Sequence, residues 1–178
     1  FALALAAAAV IGGAIYLLVV RPARTTSDLG LIILTLGLAL ALGGFDALVF
    51  GTDNKLLPTL VQDRIVRWAG ASFSLASLVT ASLGVVLMLA LWALLSFTKL
   101  GVAMRAVAQR ADVAEAMGLP VRTVLMATWA AAAVLATAAA LLFAPTTLLN
   151  PTMMLDPLSK GFVAAVIGGM NSLPGAVL

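Results

Sequence analysis

The stretch LASLVTASLGVVLMLALWALLSF, Leu75–Phe97, decides the fold. It carries no Asp, Glu, Lys or Arg. It is also long enough to supply the roughly 20 apolar residues that a helix needs to cross about 30 Å of hydrocarbon. A backbone in lipid must satisfy its own N–H and C=O groups, which leaves a helix or a closed barrel. Nothing in the stretch alternates with the two-residue period of a barrel strand. A transmembrane helix is the expectation.

Working outward, the same reading recurs along the chain. Phe1–Val20 and Thr123–Phe143 are charge-free runs of spanning length, and Leu29–Phe50 fits apart from Asp46 near its end. Gly161–Leu178 is a weaker run, interrupted by Gly168-Gly169, Asn171 and Pro174. The fold class that follows is all-α: a polytopic transmembrane bundle of about five spanning or partly spanning helices. Composition agrees. The chain is 63% hydrophobic and 10% charged with a mean hydropathy of +1.19, against about 45–50% and 25% in soluble domains. Lipid must cover what no soluble core of this size can hide.

Four connections join the runs, and their charges set an orientation. Arg21-Pro22-Ala23-Arg24 and the segment Thr98–Arg122 hold six of the ten Lys/Arg residues, while Gly51–Ser74 and Ala144–Lys160 hold four. The positive-inside tendency places the first pair in the cytoplasm. The scattered basic residues form no stripe with interleaved aromatics, so the net charge of +3 does not point to nucleic acid. Small residues at Ala6–Ala9, Gly12-Gly13, Gly43-Gly44, Ala130–Ala133 and Ala138–Ala140 let helices approach closely in lipid. Alanine is also simply a good helix former.

The chain has no Cys and no His. Disulfides, thiol nucleophiles, imidazole bases and the usual zinc or haem sites are thereby excluded. Intramembrane serine and metalloprotease chemistry would need the missing histidines, and an aspartyl type would need two acids within spans where only Asp46 qualifies. No Gly-x-x-x-x-Gly-Lys-Ser/Thr loop occurs, so ATP hydrolysis belongs elsewhere. An enzyme is not expected, and neither a catalytic residue nor a cofactor is assigned.

The connection Thr98–Arg122 is too polar to span and too patterned for a slack loop. Val107, Ala111, Ala114 and Met117 or Gly118 fall at helical spacing. Gly118 and Pro120 then close the helix, as glycine at a C-cap with proline beyond commonly does. A short amphipathic helix outside the membrane is what a partner protein grips.

Gly101 with Met104-Arg105-Ala106-Val107-Ala108, then Ala114 and Met117-Gly118, resembles the cytoplasmic loop of branched-chain amino acid ABC permeases. Tyr16–Arg24 resembles the family's aromatic-containing approach to an Arg-Pro pair, and Thr35-Leu36-Gly37 its Thr-x-Gly helix. Phe162–Ala176, with Val166-Ile167-Gly168-Gly169 and Ser172-Leu173-Pro174-Gly175-Ala176, resembles its glycine-rich signature. Met170-Asn171 and the alanines at 138–140 depart from that pattern, which bears on substrate identity more than on fold.

The resemblance implies a permease subunit of an importer in the inner (plasma) membrane, carrying branched-chain amino acids or related small solutes. It implies ATP-binding cassette subunits, a second permease subunit, identical or different, and a soluble solute-binding protein as partners. It implies that residues 98–122 form a coupling loop within a single permease domain, 1–178. Its ATPase-coupling residues would be Arg105, Ala108, Arg110, Ala114, Glu115 and Gly118. Glu115 has two readings, a partner contact or a solvated charge. Because the chain opens on Phe1 and closes in an apolar run, the expectation is a piece of a larger permease.

Interrupted helices in transporters turn free backbone groups toward a pathway. Thr35, Asn150, Gly168, Gly169, Asn171 and Ser172 are the path candidates on that ground. The glycines serve equally to let a neighbouring helix pack, and a membrane threonine often bonds its own preceding turn. Asp46 is a functional candidate as an intramembrane acid, or a boundary residue reached by water. A Na⁺-coupled carrier or a purely structural membrane subunit would show the same spans, and only the coupling segment separates them from an importer.

Overall fold

The computed structural model describes residues 2–25, 28–51, 53, 65–68, 71–147 and 149–169. Its long helices are α1 (Ala2–Ile15), α2 (Asp28–Phe50), α3 (Leu75–Phe97) and α6 (Val121–Phe143). α1 continues as a wider π turn over Tyr16–Val20. Each is long and apolar enough to cross a membrane, α1 together with that turn. Between α3 and α6 lie α4 (Lys99–Gln109) and α5 (Ala111–Ala116), and α7 (Leu155–Gly168) closes the described chain.

The second connection carries a feature with no counterpart in the sequence reading. Strands β1 (Ile65–Trp68) and β2 (Ala71–Ser74) pair antiparallel in the register Ile65↔Ser74 to Trp68↔Ala71, and β2 runs directly into α3. The spanning elements are all helical; the hairpin lies outside them.

α6 is the hub, touching α1, α3, α4 and α5. α1 lies antiparallel against it: Gly12 faces Trp129, Ala130 and Ala133, and Gly13 faces Met126. A Cβ at Gly12 would stand 2.6 Å from the Ala133 Cβ and 3.1 Å from the Ala130 Cα, so the two backbones meet only because position 12 has no side chain. This is the close packing that small residues permit in lipid. α2 is different, since none of its described side chains is buried. Gly43 and Gly44 face open space.

Two sequence expectations are corrected. The fifth run was read as Gly161–Leu178, but α7 starts six residues earlier, at Leu155, and ends at Gly168. Pro157 falls in its first turn, where the missing N–H has no intrahelical partner to lose. An Asp156–Lys160 ion pair at 2.6 Å follows at i, i+4 spacing. The connection Thr98–Arg122 was read as one helix, yet it is two, parted at Arg110, whose φ of −152° and ψ of 97° are extended.

The antiparallel α1–α6 pair brings Arg21 to the Val121 end of the bundle. At the opposite end Gly51 and Asp53 share a cleft with residues 149–154. The charge-based grouping of connections is thus also the geometric one.

Candidate functional site

At the basic end, α3 passes into α4 through one tight joint. The Thr98 hydroxyl donates to the Leu94 carbonyl at 2.6 Å and accepts from the Gly101 N–H at 3.0 Å, finishing one helix and capping the next. Gly101 is pressed on Leu94 and Leu95, where a Cβ would stand 2.5 Å from the Leu95 Cα. α4 is therefore folded back hard on the end of α3.

Arg110 then serves as C-cap of α4 and N-cap of α5. Its guanidinium holds the Asp112 carboxylate, Nη2 to Oδ2 at 3.1 Å. That hydrogen bond, and then one from the Val113 backbone, hold the Asp112 carboxyl below the ordinary 3.8. The pair lies in solvent, with both side chains about 70% exposed (71% and 70%).

α5 ends in a Schellman turn. The Leu119 N–H reaches the Ala114 carbonyl at 3.0 Å, and the Gly118 N–H reaches Glu115 at 2.9 Å. Gly118 has a φ of +83°, which side chains avoid. The turn brings Ala114, with Val107 of α4, onto Val121 and Val124 of α6 in one buried cluster, packed around by Ala103, Met104, Ala111, Leu119 and Leu125. A cleft of about 330 Å³ opens beside it, lined by Leu95, Met104, Arg105, Ala108 and Thr128 among others.

The six coupling candidates therefore occupy different places. Arg105 and Ala108 line the cleft toward α3 and α6, Arg110 sits at the break, and Ala114 is buried at 4% exposure. Glu115 and Gly118 face outward. Met117, grouped by its spacing with the core-facing residues, is 80% exposed, and Val113 is 44% exposed. Sequence reasoning missed Val113 because apolar residues on a helix read as core.

At the opposite end, two clefts adjoin the Asn150-Pro151 turn. One, of about 410 Å³, is lined by Asp46, Phe50, Gly51, Asp53, Leu149, Met153 and Met154 as well as that turn. The other, of about 520 Å³, lies over Ala39, Leu40, Gly43, Gly44 and Ala47 of α2. The Asn150 Oδ1 accepts from both the Thr152 N–H and hydroxyl at 3.0 Å, an Asx turn that shapes the entry to α7.

Of the path candidates, the structure sets Asn150 against α2. Thr35 lies one turn beyond the second cleft, exposed, with its hydroxyl on the Ile32 carbonyl at 2.9 Å. Gly168 and Gly169 lie at the far end of the 14-residue α7, about 20 Å from the helix start at Leu155 at 1.5 Å per residue. Gly169 ends α7 with a φ of +89°. Asn171 and Ser172 fall outside the described residues. Asp46 is half-buried in the cleft wall, next to the end of α2.

Comparison with known proteins adds a lineage to this geometry. The model of one family, described as "Branched-chain amino acid transport system / permease component", matches residues 1–178. The high-affinity branched-chain amino acid transport system permease protein LivH of Salmonella typhimurium (strain LT2) is 29% identical over 164 residues, which covers 89% of this chain and 53% of the relative. LivH of Escherichia coli (strain K12) is 30% identical over the same length and shares. The chain thus spans about half the length of the curated relatives it matches. No solved structure matches it significantly.

Proposed function

The chain belongs to the family of permease components of branched-chain amino acid transport systems, and on that premise we propose that it lines the solute path of an ATP-binding-cassette importer. It is a multi-pass membrane protein, and in this reading it sits in the inner (plasma) membrane with its basic end in the cytoplasm. Its cargo is branched-chain amino acids or related small solutes. A second permease subunit completes the path, and a soluble binding protein delivers solute to the end that holds Asn150.

The observation that carries the reading is the packing of α4 and α5 on α6. A helix outside the spans that merely linked them would be free to swing, whereas this one is fastened to the hub of the bundle. Displacement of α5 by nucleotide-dependent closure of ATP-binding subunits is delivered to α6, and through the Gly12 contact to α1. Hydrolysis takes place on those partners, and this chain contributes no cofactor and no catalytic group.

The test uses the full-length permease that contains this chain, co-expressed with its ATP-binding subunits. Wild type is expected to retain those subunits through purification and to support ATP-dependent uptake of radiolabelled leucine. Replacing Ala108–Gly118 by a Gly/Ser linker is expected to abolish both. Normal uptake after the replacement sinks the coupling role. A folded wild-type permease that retains no ATPase sinks the importer reading in favour of a carrier or structural subunit.

A further inference from the structure

The cleft of about 330 Å³ between α3, α4 and α6 crosses the boundary of the spans, and its walls change character as it does so. Thr128 lies about two turns inside α6, roughly 10 Å along the axis from Val121 at 1.5 Å per residue. Leu95 lies in the last turn of α3. Both belong to spanning segments, whereas Arg105 stands on α4, outside the four spans. Trp92 and Phe97 mark the same level. They meet edge to face with centroids 5.2 Å apart, and both are exposed, as aromatic side chains at a membrane–water interface are. We propose that this cleft holds one anionic phospholipid of the leaflet at the basic end. An acyl chain would lie along the apolar floor, with the headgroup phosphate on the Arg105 guanidinium.

The walls select that occupant. Leu95, Val107, Val124 and Leu125 make the floor apolar, and the Thr128 hydroxyl already donates to the Val124 carbonyl at 2.9 Å. Arg105 is the one charged side chain lining the cleft, and it makes no ion pair among the described residues. A water-borne anion would meet Arg105 and leave the apolar wall unused. A neutral hydrocarbon would fill the floor and leave the cation unmatched. A lipid anion satisfies both, and basic pockets between spanning helices are where such headgroups bind. A zwitterionic lipid brings an ammonium that finds no carboxylate in this wall.

The two clefts at the opposite end do not share this design. One has Asp46 and Asp53 in its wall, and the other has no charged residue. The placement also accounts for Leu100 and Val102, which are 38% and 54% exposed on α4 although that helix lies outside the spans. α4 is folded back on the end of α3 at Gly101, and a helix carrying both Lys99 and Arg105 beside exposed apolar residues suits the plane of the headgroups. The Thr98 joint and the Val107 contacts hold α4 in place before a lipid arrives, so little ordering entropy opposes binding.

The test is native mass spectrometry of the purified, delipidated full-length permease that contains this chain, titrated with phosphatidylglycerol or phosphatidylethanolamine, with the thermal midpoint recorded alongside. Wild type is expected to bind one phosphatidylglycerol ahead of the rest and to gain thermal stability from it. Arg105→Gln is expected to weaken that first site about tenfold, since a charge-assisted contact to phosphate is lost. Arg105→Lys should weaken it less, because the charge stays. Arg122→Gln removes an exposed charge that does not line the cleft and should change nothing. Ala108→Phe narrows the cleft and is expected to weaken the lipid too. Wild-type affinity in Arg105→Gln overturns the proposal, even if the Ala108 variant fails to fold. An equal loss in Arg122→Gln assigns the binding to diffuse basic charge, and equal binding of the two lipids removes the preference for an anion; either overturns it. Displacement by inorganic phosphate with full binding in Ala108→Phe assigns a free-anion site and overturns it as well. No ATP-binding subunit enters these readouts, so their failure leaves the importer reading standing.

Discussion

Gly12 of α1 and Ala133 of α6 stand so close that a Cβ on the glycine would lie 2.6 Å from the alanine Cβ and 2.7 Å from the Trp129 carbonyl oxygen. The neighbouring Gly13 has room, with its nearest contact the Met126 Cγ at 3.8 Å. Gly12→Ala is therefore expected to force the helices apart and cost about 1–3 kcal/mol, and Gly13→Ala to be near neutral. Adding Ala133→Gly to Gly12→Ala should recover part of the loss but not all, because the Trp129 carbonyl stays. Thermal melts in detergent decide it, and equal losses at both glycines would deny the close approach.

Gly118 closes α5 in a left-handed turn, with a φ of +83°. Gly118→Ala should cost about 1–2 kcal/mol, and Gly118→Asn clearly less, because asparagine tolerates that region. Since space around the position is open, strain and not crowding sets the order. The readout is hydrogen exchange at the Leu119 amide, which bonds the Ala114 carbonyl. Exchange as slow in the alanine variant as in wild type would count against the turn.

Acid should loosen the joint between α4 and α5. The Arg110 hydrogen bond holds the Asp112 carboxyl below 3.8, so the folded value is depressed relative to the unfolded one. The contribution is fully present above the ordinary value and fades as pH falls through the lowered one; near neutrality nothing changes. Because both side chains are in solvent, the effect is small and screened by salt. A carboxyl-carbon NMR titration is expected to show the Asp112 midpoint rising toward its ordinary value in Arg110→Gln, with the Val113 backbone hydrogen bond still holding part of the depression. An identical midpoint in the variant would mean that the pair does not form.

Tyr16 is 1% exposed, and its hydroxyl finds no hydrogen-bond partner among the described residues. It opens the π turn in which the Arg21 N–H reaches back to the Tyr16 carbonyl at 2.8 Å. A buried unsatisfied hydroxyl costs about 1–3 kcal/mol of desolvation. Tyr16→Phe, which keeps the ring, is thus expected to leave the thermal midpoint unchanged or raise it. A clear loss would show that the hydroxyl is bonded after all.

The spans were the legible part. Leu75–Phe97 is read and found with the same ends, and Leu29–Phe50 differs from α2 by one residue. A long charge-free run in lipid has one solution, so propensity has little to arbitrate. Near water the rules are weaker. Pro157 lies in the stretch taken as the connection Ala144–Lys160 and is found in the first turn of α7, where it does no harm. Nothing in Gln109-Arg110-Ala111 marks a helix end, because that break belongs to the packing of Val107 and Ala114 on α6. Asn150 reads as a pathway candidate, and the sequence carries no sign that its Oδ1 also accepts from Thr152 in shaping the turn before α7. The cleft beside it is assembled from α2 and residues more than a hundred positions later, a neighbourhood that no local pattern contains.

Between α5 and α6 every amide is spoken for. Met117, Gly118, Leu119 and Val121 each donate within the turn, and Pro120 has no N–H to give. Such a link has no play. Loosening it means breaking at least one of these hydrogen bonds, which an ordinary solvated loop need not do. If α5 is displaced, a link tied in this way is expected to carry α6 along at the pace of whole helices sliding in lipid rather than that of a loop finding its shape.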